Sequence, residues 1–239
     1  MERLQKIIAS SGLCSRRSAE DLLRQGRVSV NGRPAALGDS ADAAEDHITV
    51  DGAPLPATPR PVYIMLHKPA GYVTTLSDEF GRANAAELVS SCGVRVFPVG
   101  RLDRDSEGLL LFTNDGALAH ALLHPRHEVD KVYRVTVHGD LNGAQERLSC
   151  LRELDGEPIA PAQVSVLKQQ GSKAVISVTI HQGKKRQVRR MCAAAGLTVE
   201  RLVRIQEGSL RLGRLEPGKW RYLTDVEIRD LKGVQCREK

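Results

Sequence analysis

The chain is 239 residues long, 41% hydrophobic and 27% charged, which supports a packed core and argues against wholesale disorder. No apolar run approaches the roughly 20 residues that span a bilayer, and the longest useful one is Leu109 to Phe112. The net charge of +6 points toward a polyanionic partner, and Met1-Glu2-Arg3-Leu4 carries no apolar leader, so a cytoplasmic protein without a membrane partner is expected.

Leu4, Ile7 and Ile8 recur at helical spacing, and Gly12 suits the left-handed residue that ends such a helix. Ser15 is placed to cap a second helix carrying Ala19, Leu22 and Leu23, which Gly26 closes. Val28-Ser-Val30 then runs into Asn31-Gly32, a pair fitted to the two positive φ angles of a type I′ turn. A short strand, Ile48-Thr-Val50, follows before Asp51-Gly52. Four prolines in residues 53–61 make a semi-extended linker, so the expected domains are 1–56 and 57–239.

Beyond the linker, strands are predicted at Val62–Leu66, Leu109–Thr113, Val132–Val137, Gln163–Leu167, Ala174–Ile180 and Trp220–Leu223. Helices are predicted near Ala85–Ser90, Ala117–Leu123, Gly143–Leu151, Gln187–Ala195 and Asp225–Leu231. Strands outnumber helices without a βαβ rhythm, which implies an α+β fold with a mixed, largely antiparallel sheet.

Five dispersed cysteines (14, 92, 150, 192 and 236) with no C-x-x-C pair read as reduced thiols, and no histidine pair has metal-ligand spacing. Charge is uneven: residues 1–33 hold seven Lys/Arg against three Asp/Glu, and 181–214 hold nine against two. Two separated basic patches fit a protein that touches a long polyanion twice. Solvated surface is the plain alternative.

Ser15-Arg16-Arg17 opens a helix, so the arginines add donors to its unpaired backbone N–H groups and make a phosphate-binding corner. R-L-x-K-x-I-A, G-L-C-S-R-R-x-A-E, the G-x-V-x-V-N-G stretch and D-x-I-x-V-D-G together resemble the alpha-L RNA-binding domain, named after ribosomal protein S-four. The resemblance implies that Lys6, Arg16, Arg17 and Arg27 face RNA.

In Gly100-Arg-Leu-Asp103-Arg-Asp-Ser-Glu-Gly108, acidic side chains sit at the mouth of a loop leading into an apolar strand. Asp103, Asp105 and Glu107 do not match the spacing of a calcium loop, and loop solubilisers are the ordinary fate of such residues. With Leu-Leu-Leu-Phe-Thr-Asn-Asp-Gly116, however, the segment resembles the signature of the pseudouridine synthases of the RsuA and RluB branch. Leu66-His-Lys-Pro-Ala-Gly71, Lys131-Val-Tyr133-Arg-Val135, Gly183-Lys-Lys-Arg-Gln187-Val-Arg189-Arg-Met191 and Leu210–Arg221 match further motifs of that family in order. The resemblance implies that Asp103 is the catalytic carboxylate, that Tyr133 lines the uridine pocket, and that Arg189 pairs with Asp103. Arg101 and Arg104 flank Asp103, while Lys184, Lys185, Arg186 and Arg190 offer further RNA contacts. Two departures are His67, where the family commonly has Asn, and Gln182, where it usually has Glu.

The reaction so implied breaks a glycosidic C–N bond, turns the base and forms a C–C bond, with no redox or phosphoryl step. No cofactor motif is present, neither G-x-x-x-x-G-K-S/T nor G-x-G-x-x-G. One carboxylate serves either as nucleophile or as general base toward the sugar. The implied partner is a structured stem-loop of ribosomal RNA, its target uridine flipped out, acted on by a monomer. The G-L-L-L-F-T-N-D-G-x-L-A-H segment followed by H-P favours the large-subunit branch. The alternatives are a small-subunit enzyme and a non-catalytic ribosome-assembly factor. A metal-dependent hydrolase using Asp103 and Asp105 lacks further ligands.

Overall fold

The computed structural model describes residues 1–233, and Cys236 lies outside the described residues. The chain divides into two compact units, Met1–Pro61 with Gly93–Arg95, and Val62–Cys92 with the rest from Val96.

The first unit pairs α1 (Leu4–Ser10) and α2 (Arg16–Arg24) with a four-stranded sheet. Leu4, Ile7, Ile8, Ala19 and Leu23 bury against Val28, Ile48 and Val50, the apolar positions that the helical and strand periods select. The Ser15 side chain accepts from Ser18 N and caps α2. Asn31 and Gly32 both have positive φ, 52° and 79°, and join strand 28–30 to strand 33–34 as a hairpin.

The second unit is built on one long sheet. In spatial order its main strands are 163–170, 173–180, 131–139, 197–207, 107–113, 63–68 and 220–222. Strands 210–211 and 97–99 attach to strands 197–207 and 107–113. Every ladder is antiparallel except one: strand 197–207 runs parallel to strand 107–113, with Val203 opposite Glu107 and Arg204 opposite Gly108. All six residues of Tyr63–Lys68 are buried, as a strand covered on both faces requires. One face packs Met65, Leu109, Leu111 and Val203 with Leu118 and Leu122 of α3 (Gly116–Leu123) and Leu231 of α6 (Asp225–Lys232). Along strand 131–139, Tyr133, Val135 and Val137 are buried while Arg134 is exposed, and α5 (Gln187–Ala194) packs against strand 197–207.

Strand 197–207, the longest of all, has no counterpart among the expected elements. Its sequence L-T-V-E-R-L-V-R-I-Q-E carries four charges and no clean alternation, because two of those charges pair with each other inside the protein. The helix expected near 143–151 is α4 (Ala144–Cys150), and the one expected at 85–90 is a 3-10 turn at Glu87–Cys92. Among the described residues, no helix is long and apolar enough to cross a membrane.

Gly108 has a φ of +113°, and a Cβ there would lie 2.2 Å from the Arg204 carbonyl oxygen and 2.5 Å from its nitrogen. Backbone atoms of a paired strand cannot yield as a side-chain tip can. Gly108→Ala is therefore expected to destabilise the protein by at least about 3 kcal/mol, through strain and overpacking. At Gly183 no atom lies within 4 Å of the added Cβ, so Gly183→Ala should stay within about 0.5 kcal/mol of wild type. Urea denaturation of the three proteins measures the contrast.

Candidate active site

The segment Arg101–Ser106 is an irregular loop between strands 97–99 and 107–113. It is pinned from outside by residues 68–74. Thr74 Oγ1 donates to the Leu102 carbonyl at 2.8 Å, and Leu102 N donates back at 3.2 Å. Gly71 N donates to the Arg104 carbonyl at 2.7 Å. The Lys68 ammonium, fully buried, donates to the carbonyls of Ser106 at 2.8 Å and Pro69 at 3.0 Å. Within the loop, Ser106 N closes a turn onto the Asp103 carbonyl at 3.1 Å. A half-buried Asp103 carboxylate thus sits on backbone that has few ways to move.

Lys68 is held at a cost. Burial pushes its ammonium down to about 8 from the ordinary 10.5, against the opposing pull of Asp105, Asp103 and Glu107. Its carbonyl partners replace only part of the hydration it loses.

The basic side of the site comes from the start of α5. Arg186, at the helix N-cap with φ 51°, forks Asp105 with two 3.0 Å hydrogen bonds, and its Nη1 lies 4.0 Å from Asp103 Oδ2. Arg189 does not take the expected place against Asp103. Its Nη2 donates to the Asp105 carbonyl at 2.7 Å and its Nε lies 3.3 Å from the Asp105 carboxylate. The correction follows from position: Arg186 stands at the open end of α5, whereas Arg189 lies one turn inside and meets the loop two residues later. The Arg186 hydrogen bonds hold the Asp105 carboxyl below its usual range, against a smaller upward push from burial.

Tyr133 lies on the buried face of strand 131–139, opposite Arg204 in register. Burial pushes its phenol up, the Arg204 charge works against that, and Glu207 and Asp103 add to the rise. Behind the ring, Arg204 and Glu207 form a buried ion pair at 3.2 Å, 2% and 3% exposed at their side chains. Arg204 Nε also donates to the Leu109 carbonyl at 2.8 Å. Sequence reasoning missed Lys68, Arg204 and Glu207 as parts of the site. Lys68 was inside a recognisable motif, but Arg204 was one cation in a basic run.

The expected RNA-facing cations fall into two groups. Lys6 is paired with Glu2, Arg27 forks Asp51, Lys184 reaches Glu157, and Arg190 holds Asp155. Arg16, Arg17, Arg101 and Lys185 are exposed and make no side-chain hydrogen bond or ion pair among the described residues. Arg104 is exposed too and donates weakly to the Gly71 carbonyl at 3.3 Å. Gln182 Oε1 accepts from Ala160 N at 3.0 Å, a structural contact that needs no carboxylate. His67 Nδ1 donates to the Leu215 carbonyl at 2.6 Å.

The RNA pseudouridylate synthase family profile matches residues 62–194, and the S4 domain profile matches residues 2–48. Over 238 residues the chain is 39% identical to the ribosomal large subunit pseudouridine synthase B of Bacillus subtilis, covering 98% of this chain and 97% of that one. It is 43% identical over 234 residues to an uncharacterized RNA pseudouridine synthase of Mycobacterium leprae, covering 96% and 91% of the two chains. A crystal structure of a pseudouridylate synthase superposes with a TM-score of 0.69 at 32% identity, covering 97% of this chain and all of that one.

A buried lysine with a depressed pKa binds fewer protons folded than unfolded between about pH 8 and 10.5, so its contribution makes folding more favourable as pH rises through that window. Lys68→Met removes that titration and the two carbonyl bonds together. Denaturant midpoints measured from pH 7.5 to 10 are expected to rise in wild type relative to Lys68→Met. Parallel curves for the two proteins would place the Lys68 ammonium in contact with water.

Proposed function

The chain belongs to the RNA pseudouridylate synthase family, and from that footing we propose that it isomerises one uridine of large-subunit ribosomal RNA, with Asp103 as the catalytic carboxylate. The observation that carries this reading is a motif aspartate on a loop whose backbone is pinned by hydrogen bonds from Thr74 and Lys68. The chain that carries it matches a large-subunit enzyme of Bacillus subtilis end to end. That match also favours the large subunit over the small one.

A stacked uridine is out of reach of Asp103, so the target nucleotide turns out of its helix at a cost of a few kcal/mol. Stacking on the Tyr133 ring, worth about 1–3 kcal/mol, offsets part of that. Asp103 then acts on the ribose side of the glycosidic bond, and the freed base turns to present carbon five. Arg186 Nη1 stands 4.0 Å from Asp103 Oδ2, while Arg189 positions the loop through Asp105 rather than touching the reacting atoms. All of these groups come from one chain, which suits a monomer.

In this reading Arg16 and Arg17, free at the start of α2, supply phosphate contacts that place the first unit on the RNA. Arg101 and Lys185 do the same for the second unit. Arg27, Lys184 and Arg190 can join only by exchanging carboxylate partners for phosphate.

Mapping pseudouridines in ribosomal RNA from cells with and without the gene is the primary test: one large-subunit position should lose its modification. Asp103→Asn should lower single-turnover pseudouridine formation by at least about a thousandfold with RNA affinity unchanged, read by tritium release from carbon-five-labelled uridine. Residual turnover near wild type would remove Asp103 from the chemistry. Arg16→Ala with Arg17→Ala should weaken binding about equally on different RNA sequences and reduce the salt slope by about 1–2 units. The saturating rate should stay the same.

A further inference from the structure

Adjacent residues of a strand point to opposite faces, so the residues beside Tyr133 and Arg204 line the reverse of the sheet. There, Arg134, Arg201 and Arg211 border a cavity of about 350 Å³, within the range of about 300–1,000 Å³ typical of ligand sites. Val203 and Ile205 form an apolar floor, and His67 closes one end. Arg201 is bound to Glu107 by a two-bond fork. Arg134 and Arg211 are exposed and have no hydrogen-bond or ion-pair partner among the described residues. His67 Nδ1 donates to the Leu215 carbonyl, and its Nε2 is buried without a hydrogen-bond partner.

Unpaired guanidiniums over an apolar floor suit one kind of occupant. The face of a sugar or base lies on the floor while its phosphate takes the arginines. We propose that this groove is a second RNA subsite, holding one nucleotide of the substrate RNA through Arg134 and Arg211, on the face of the sheet opposite Tyr133. It rests on the reading that the substrate is ribosomal RNA. Because Tyr133 and Arg204 belong to the other side and Asp103 is not among the lining residues, the groove contributes affinity and placement and no chemistry.

The test uses the full chain with Arg134→Ala/Arg211→Ala and Arg134→Glu/Arg211→Glu, both at exposed positions, with thermal melting as the check on folding. Binding of a large-subunit ribosomal RNA fragment is followed by fluorescence anisotropy at two salt concentrations, beside single-turnover rates at saturating RNA. The alanine pair should weaken binding about tenfold, the glutamate pair more, and the salt slope should fall by about 1–2 units. The saturating rate should remain that of wild type. Affinity and salt slope equal to wild type in both variants would overturn the subsite, as would a lost saturating rate at unchanged affinity. A wild-type protein that binds the fragment yet forms no pseudouridine in any ribosomal RNA overturns the activity instead, and the binding comparison still decides on the groove.

Discussion

The Arg204 guanidinium is shut away from water, and three parts of the catalytic unit meet on it. Its backbone pairs with Gly108 on one side and Tyr133 on the other. Its Nε holds the Leu109 carbonyl, and its charge answers Glu207. Burial works against the charge, but Glu207 and Tyr133 more than offset it, and the group stays above the usual arginine range. Removing one member of such a pair strands the other, at about 3–5 kcal/mol. A hydrophobic replacement of both would remove that risk, yet it would leave the Leu109 carbonyl without its donor and the Tyr133 hydroxyl without its charged neighbour. Through Arg204, the pair ties strand 107–113 to strand 131–139, which carries Tyr133.

The loop itself is governed by a second set of constraints. All five backbone carbonyls from Leu102 to Ser106 have donors: Thr74 on Leu102, Ser106 N on Asp103, Gly71 N on Arg104, Arg189 on Asp105 and Lys68 on Ser106. This scheme holds the loop by its carbonyls, so among the described residues the Asp103 carboxylate has only Arg186, at 4.0 Å, as an ion-pair partner. Asp105 absorbs the guanidiniums that would otherwise close on Asp103. A carboxylate locked in a bidentate fork is a poor nucleophile and a poor base, whereas one held by its backbone alone is positioned without being spent.

What could be read from the sequence was mostly the local information. Ser15 caps α2 with its own side chain, and Gly12 and Asn31-Gly32 act through positive φ, so each takes the conformation that its local chemistry selects. Strands such as 173–180 alternate cleanly and were legible for the same reason. Strand 197–207 was hidden because Arg204 and Glu207 are charged yet inside, an arrangement that depends on three other strands. Arg189 was misplaced against Asp103 because motif spacing gives the order of groups along the chain and not how far each side chain reaches into the loop. His67 and Gln182, which looked like departures from a pattern, turn out to hold a carbonyl and an amide.

The basic surface shows the same distinction between possessing a charge and having it available. Lys6, Arg27, Lys184, Arg186 and Arg190 stand beside carboxylates of the same chain. Exposed pairs of this kind are worth about 0–1 kcal/mol, so a phosphate can displace the carboxylate, but the carboxylate's charge stays nearby and offsets the gain. Unpaired cations have no such penalty, and on contact with RNA they release the counterions of the phosphate they meet. Those cations are Arg16 and Arg17 in the first unit, Arg101 and Lys185 near Asp103 and Arg186 in sequence, and Arg134 and Arg211 at the groove on the reverse of the sheet. Affinity for RNA should therefore follow these six positions more closely than it follows the net charge of +6, because only a cation without a carboxylate partner offers its whole charge to a phosphate.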